Sequence, residues 1–228
     1  MTTRRDRVRA STIDEIKEAA LSQIAAEGAT ALSIRGVARA IGMSPAGLYR
    51  YYNGLDALVT DLLTDAYEDL ADAVEHGIAS IDGPASERYI AGAAAYRQWA
   101  LDHPNRFLLI FGTPIPGYAA PQDGPTVQAN RRMGEAFFRI CIEGWLAGEI
   151  TAPPLSRPVT EPERSFAAGI PAPGFPPELV PAMLGTWAHL HGLVTLEILD
   201  QLHWMYPGVD ADAFFEGEAR RMVEGLSR

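Results

Sequence analysis

Between Ser33 and Gly54 the chain reads SIRGVARAIGMSPAGLYRYYNG, and the spacing of caps, glycines and proline in that stretch leaves few folds open. Ser33 is an N-cap for a short helix ending near Ile41, and Gly42 is free to take positive φ in a tight turn. Ser44 followed by Pro45 is a second N-cap with proline at the first helical position, so a further helix covers 45–52. Two short helices thus meet across a three-residue turn. Ala38 is small where they must approach, and Leu48 plugs the space between them. Asn53 and Gly54 then break the chain. This is the arrangement of a helix-turn-helix, whose second helix enters the major groove of DNA.

The flanking pattern is helical throughout, so the fold class is all-α. Thr12-Ile-Asp-Glu15 is a capping-box pattern that starts a first helix, with Ile13, Ile16, Ala20 and Ile24 on one face and Gly28 as its stop. After Gly54 a long amphipathic helix turns Leu58, Leu62, Ala66, Leu70 and Val74 inward and ends at Gly77. Beyond it the pattern predicts helices over 85–103, 105–112 and 126–148, then two more over 177–204 and 210–226. The Pro- and Gly-rich segments 113–125 and 151–178 read as loops, the second long enough to be functional or disordered. The chain divides into an N-terminal three-helix DNA-binding domain over 1–54, a connecting helix over 55–77 and a larger helical domain over 78–228.

Charge is unevenly placed. The formal net charge is −10, yet residues 1–60 carry eight Lys and Arg against six Asp and Glu, and the rest carry 11 against 23. Arg4, Arg5, Arg7 and Arg9, offset only by Asp6, are either a basic arm that follows a phosphate backbone or a solvated terminus. On the second helix of the motif Tyr49, Arg50 and Tyr51 spread over a wide arc. Tyrosine hydroxyls donate to phosphates, and Arg50 can pair with guanine or hold a backbone oxygen. Ala46 and Gly47 allow close approach to the groove, and Tyr52 is the tyrosine expected to turn inward.

Other classes fit poorly. The single cysteine, Cys141, excludes an internal disulfide framework and a Cys-based zinc site, and it reads as core filling rather than a nucleophile. His189 and His191 lie two apart, so on an unbroken helix they point roughly 200° away from each other and cannot share one metal. No HExxH, ExxH or GxSxG occurs. The expectation is therefore no enzyme, no cofactor and no metal. Apolar runs such as FLLIF, 107–111, fall far short of the roughly 20 residues that cross a bilayer, which points to a cytoplasmic chain without a membrane partner. Arg4-Arg5 is followed by polar residues, unlike an export signal.

Residues 12–60, with GATALSIRGVARAIGMSPAGLYRYYNGLDALV, resemble the DNA-binding domain of the tetracycline-repressor (TetR) family of bacterial transcription regulators. The pattern departs at Leu55, where the family usually carries a phosphate-contacting lysine. YRQWALDHPNRFLLIFGTPIPGY and WAHLHGLVTLEI are similar to the ligand-binding and dimerisation half of a branch with a Trp-His-Gly signature. The resemblance implies a homodimer on double-stranded operator DNA, released by a small-molecule inducer. It adds Ser33, Arg35 and Ser44 to the DNA-contacting residues Ala46, Gly47, Tyr49, Arg50 and Tyr51. It also pairs the last helices with those of a second subunit, through a stripe of Phe214, Phe215, Met222, Val223 and Leu226. Trp99, Phe107, Phe111, Phe137, Cys141, Trp145, Met183, Trp187 and His191 are candidates to line a pocket for a largely apolar or aromatic molecule. The alternatives are a ligand-independent regulator or activator and, remotely, an α-helical metal enzyme.

Overall fold

The computed structural model describes residues 3–226, which form eleven α-helices and one 3-10 turn. They gather into two compact units. One comprises the chain up to Asp69 together with His103–Arg131; the other comprises Leu70–Asp102 together with the residues from Arg132 onward.

The first unit opens with α1 (Arg4–Glu27), which begins well before the expected start at Thr12. Its capping box is formed by Thr3 and Asp6: the Thr3 hydroxyl oxygen accepts from the Asp6 amide at 3.2 Å, and the Asp6 carboxylate accepts from the Thr3 amide at 3.0 Å. Thr12 carries the same chemistry but sits inside the helix, its hydroxyl donating to the Val8 carbonyl at 2.9 Å. The early arginines are therefore helical. Gly28, at φ 84°, ends α1, and the 3-10 turn Ala29–Ala31 follows. Gln23 braces that turn by donating to the Ala31 carbonyl and accepting from the Ser33 amide.

Next come α2 (Ile34–Ala40), capped by Ser33, and α3 (Pro45–Leu48), capped by Ser44, with Gly42 between them at φ 67° as expected. α3 is shorter than the expected 45–52. After Leu48 the bonding tightens, Arg50 donating to Gly47 and Tyr51 to Leu48, three residues back, so this segment is a turn rather than α-helix. Ala38 and Leu48 are wholly buried. α4 (Leu55–Ala79) supplies Leu58, Leu62 and Ala66 to this unit, and α6 (Pro104–Phe111) adds Leu109 to the same core. The Tyr67 hydroxyl donates to the Ile110 carbonyl at 3.3 Å, and the Phe111 ring meets Tyr67 edge-on.

The second unit takes the rest of α4, with Leu70 and Val74 buried, and α5 (Ala85–Asp102). α4 runs past Gly77. A side chain there would sit 2.6 Å from the Ala95 Cβ and 2.9 Å from the Ala91 carbonyl oxygen, so this glycine serves the close approach of α5 rather than a helix stop. To these are added α7 (Pro125–Leu146, from Arg132 on), α9 (Leu179–Ile198), α10 (Gln201–Met205) and α11 (Ala211–Glu224). α8 (Glu161–Ala168) falls inside the segment expected to be loop; Thr160 and Glu163 form its capping box. The helix expected over 177–204 is broken at Asp200, which takes left-handed φ of 56° and separates α9 from α10.

Phe215, Met222 and Val223, assigned above to a partner-facing stripe, are instead buried in the unit's own core, where α11 packs on α5 and α9; Phe214 is exposed and Leu226 half-buried. Arg97 binds Glu197 through two contacts of 2.7 and 2.6 Å and Asp212 at 2.7 Å, with the Phe215 ring 5.0 Å from its guanidinium carbon. All four tryptophans, at 99, 145, 187 and 204, belong to this unit. Contrary to the expectation from apolar runs, α9 is long and apolar enough to cross a membrane by length and composition. Three of its polar residues have protein partners: His189 pairs with Glu218, His191 with Tyr96 and Glu197 with Arg97.

Candidate nucleic-acid interface and cavity

Local chemistry builds the reading surface of the first unit. The Ser33 and Ser44 hydroxyl oxygens accept from the Gly36 and Gly47 amides at 3.2 and 3.1 Å, which sets where α2 and α3 begin. Ala46, Tyr49 and Arg50 are exposed on and just after α3, as is Arg35 on the first turn of α2. Gly47 is half-buried, and its reason for being glycine is Met43, whose Cγ would lie 2.8 Å from an added Cβ. Tyr51 is half-buried against the core, and Tyr52 is buried, as expected. The Tyr52 hydroxyl donates to the Asp61 carboxylate at 2.6 Å, and Lys17 bridges Asp61 and Asp65 at 2.9 and 2.6 Å. Burial and then the Asp61 carboxylate push the Tyr52 hydroxyl well above its ordinary pKa, so it stays a donor and ties the turn after α3 to α4.

The basic residues converge more than the sequence suggested. Arg4, Arg5, Val8 and Arg9 on α1 line one concave surface with Arg50 and Tyr51, and the Arg9 guanidinium stands 5.1 Å from the centre of the Tyr51 ring. The signal lay in Thr3 and Asp6, which make the arginine segment helical and so give its side chains fixed directions. Leu55 packs against the core of this unit. Leu55→Lys is therefore expected to cost about 1 kcal/mol of stability from lost apolar burial. Its log-affinity against log-salt slope on operator DNA should steepen by less than the ~0.9 that one added phosphate contact gives. A thermal melt and a salt titration check both.

The second unit holds a half-open cavity of about 320 Å³. α5 supplies Ala85, Ser86 and Tyr89 to its wall, α7 supplies Gly134, Phe137, Phe138, Ile140 and Cys141, and α8 supplies Phe166. α9 adds Val180, Met183, Leu184, Thr186 and Trp187, and Ile150, Val223 and Leu226 complete it. Of the nine candidates from the sequence, Phe137, Cys141, Met183 and Trp187 lie together on this wall. Trp99, Trp145 and His191 belong to the same unit but not to the wall, and Phe107 and Phe111 pack on each other in the first unit. His191 stacks on Trp187 and shares a 2.9 Å hydrogen bond with the Tyr96 hydroxyl; burial lowers its pKa. Trp145 meets Phe175 edge-on. Tyr89, Phe138 and Phe166 escaped the sequence reading, the last because it rides on α8. Burial pushes the Cys141 thiol up to about 12, so it is no nucleophile at neutral pH.

Two family models match the chain: bacterial regulatory proteins of the tetR family over residues 16–62, and the tetracyclin repressor-like C-terminal domain over residues 89–222. The HTH-type transcriptional regulator Rv1816 of Mycobacterium tuberculosis is 34% identical over 222 residues, covering 93% of this chain and 91% of that protein. The crystal structure of a regulatory protein, SCO4313, is 33% identical with a TM-score of 0.75, over 97% of this chain and 100% of that one. A protein from Rhodococcus sp. RHA1 shares the fold at a TM-score of 0.70 and 24% identity over 95% of each chain. Matched at both ends and along nearly its whole length, the chain belongs to the TetR family of helix-turn-helix transcription regulators and is not an enzyme.

Proposed function

We propose that the protein is a cytoplasmic repressor, acting as a homodimer that leaves its operator when a small, largely apolar or aromatic molecule occupies the cavity of the second unit. The observation that carries this reading is the presence in one chain of an exposed Arg-Tyr surface on a helix-turn-helix and a half-open apolar cavity in a separate unit. Tyr49 and Arg50 read base edges and phosphates; Arg35, the O–H groups of Ser33 and Ser44, and the α1 arginines position the protein on the backbone. Two such surfaces in a dimer reach successive major grooves about 34–36 Å apart. The partner-facing residues are drawn from the exposed apolar set at the end of α9 and around α10, Leu196, Leu199, Trp204, Met205 and Tyr206, instead of the α11 stripe.

Release requires the ligand to bind one conformer better than the DNA-binding one, and the coupling is reciprocal. Genome-wide mapping of bound DNA supplies the operator and, through the neighbouring genes, candidate ligands. Arg50→Ala is expected to weaken operator binding by about 1–3 kcal/mol while leaving the melting temperature unchanged. Fluorescence anisotropy at fixed salt checks the first, a thermal melt the second. Saturating ligand should lower operator affinity by the same factor by which operator lowers ligand affinity. A ligand that binds the cavity and leaves operator affinity unchanged would instead identify a ligand-independent regulator.

A further inference from the structure

The cavity wall carries no Asp, Glu, Lys, Arg or His among the described residues. Two charged groups close to wall residues in the chain are bound elsewhere: Arg88 pairs with Glu143 at 2.8 Å, and the Glu149 carboxylate accepts from the Ala85 amide at 2.7 Å. The second contact matters because the N-terminus of α5 would otherwise attract an anion. Glu149 already occupies it. The wall's titratable groups are neutral as well: burial first, and then the neighbouring Cys141, push the Tyr89 hydroxyl upward, and burial does the same to the Cys141 thiol.

Few polar atoms remain on the wall. The Thr186 hydroxyl is spent on the Ala182 carbonyl at 2.8 Å. Ser86 and Tyr89 lie three residues apart at the start of α5, so both project from one face, and among the described residues neither hydroxyl has a hydrogen-bond partner. The Tyr89 ring packs on Phe137, centroids 5.2 Å apart, which restrains the ring. A ligand that desolvated either hydroxyl without giving it a partner would incur a cost, and an acceptor on the ligand removes that cost. An unpaired carboxylate or phosphate in the same space would suffer far more. The volume sits at the lower end of ligand pockets.

We infer that the cavity takes an uncharged molecule, on the order of 10 to 20 non-hydrogen atoms, with an aromatic or alicyclic body and one hydrogen-bond acceptor held by Tyr89, and that it rejects anions. This rests on the proposed reading of the cavity as the ligand site. Three probes of one skeleton test it by calorimetry on the full chain: 2-acetylnaphthalene, 2-ethylnaphthalene and 2-naphthoate. The ketone should bind tightest, and the carboxylate at least ~10-fold more weakly than the ketone. Tyr89→Phe should cost the ketone roughly 3- to 10-fold and leave 2-ethylnaphthalene within about twofold, which also shows that the variant is folded. Naphthoate binding as tightly as the ketone, a ketone affinity unmoved by Tyr89→Phe, or no binding of any probe would overturn the inference. Operator affinity measured in the same samples separates the two readings: probes that bind in the expected order without releasing DNA defeat ligand-gated release and leave the assignment of ligand class standing.

Discussion

Leu48→Ala is expected to remove about 2–5 kcal/mol from the stability of the DNA-binding unit. Leu48 has no exposed surface, and it sits at the end of a four-residue helix that has no length from which to draw stability of its own. What holds α3 is its cap at Ser44, the Tyr52–Asp61 bond just beyond it and the packing of this one leucine. With the leucine truncated, the segment carrying Ala46, Tyr49 and Arg50 loses its seat, and operator affinity should fall by more than tenfold although no residue proposed to touch DNA has changed. Hydrogen exchange checks the cause: amides of α2 and of 45–52 should exchange faster, and those of α9 and α11 should keep their protection. Unaltered exchange around α3 would show that its position depends on other contacts.

Arg97→Ala should be nearly as damaging in the second unit. Both partners of the Arg97–Glu197 pair are largely buried, with side chains 12% and 14% exposed, and their contacts are bidentate. Removing the guanidinium leaves the Glu197 carboxylate desolvated and unpaired, at a cost of about 3 kcal/mol, and strips the cover from Phe215. For a chain of this size that corresponds to a fall in melting temperature of roughly 6–12 °C. Asp212 contributes little to the effect because it is mostly exposed. The pair variant Arg97→Met/Glu197→Leu should recover most of the loss, since a buried ion pair and an apolar pair of similar volume differ little. Equal melting of Arg97→Ala and the wild type would mean that solvent reaches Glu197 freely.

Features governed by local chemistry were legible in the sequence. Ser33, Gly42, Ser44 with Pro45, and Gly54 act on their own few residues, and each does in the structure what its type suggests. Where two places offered the same chemistry, the pattern could not choose: Thr3-Asp6 and Thr12-Glu15 are both capping sequences, and Thr12 became an interior residue because the helix had begun earlier. Gly77 looked like a stop because its contact with α5 is invisible from neighbouring residues. The cavity wall shows the same limit. Phe107 and Phe111 have the helical spacing of Met183 and Trp187, but in the first unit they pack on each other, with Phe111 also against Tyr67. Phe166 reaches the wall from a helix whose Thr160–Glu163 cap was readable, in a segment whose prolines masked it. The α11 stripe was rightly apolar, but a stripe says only that a face is covered, and α5 and α9 of the same chain cover it.

The placement of all four tryptophans in the second unit has an optical consequence. The first unit holds five tyrosines and no indole, so selective excitation of tryptophan excites no side chain of the reading surface itself. Adding operator DNA to the wild-type protein should then leave the emission spectrum flat unless free energy passes from one unit to the other. Any shift in colour or intensity is a measure of that transfer, without a label and before any ligand is known.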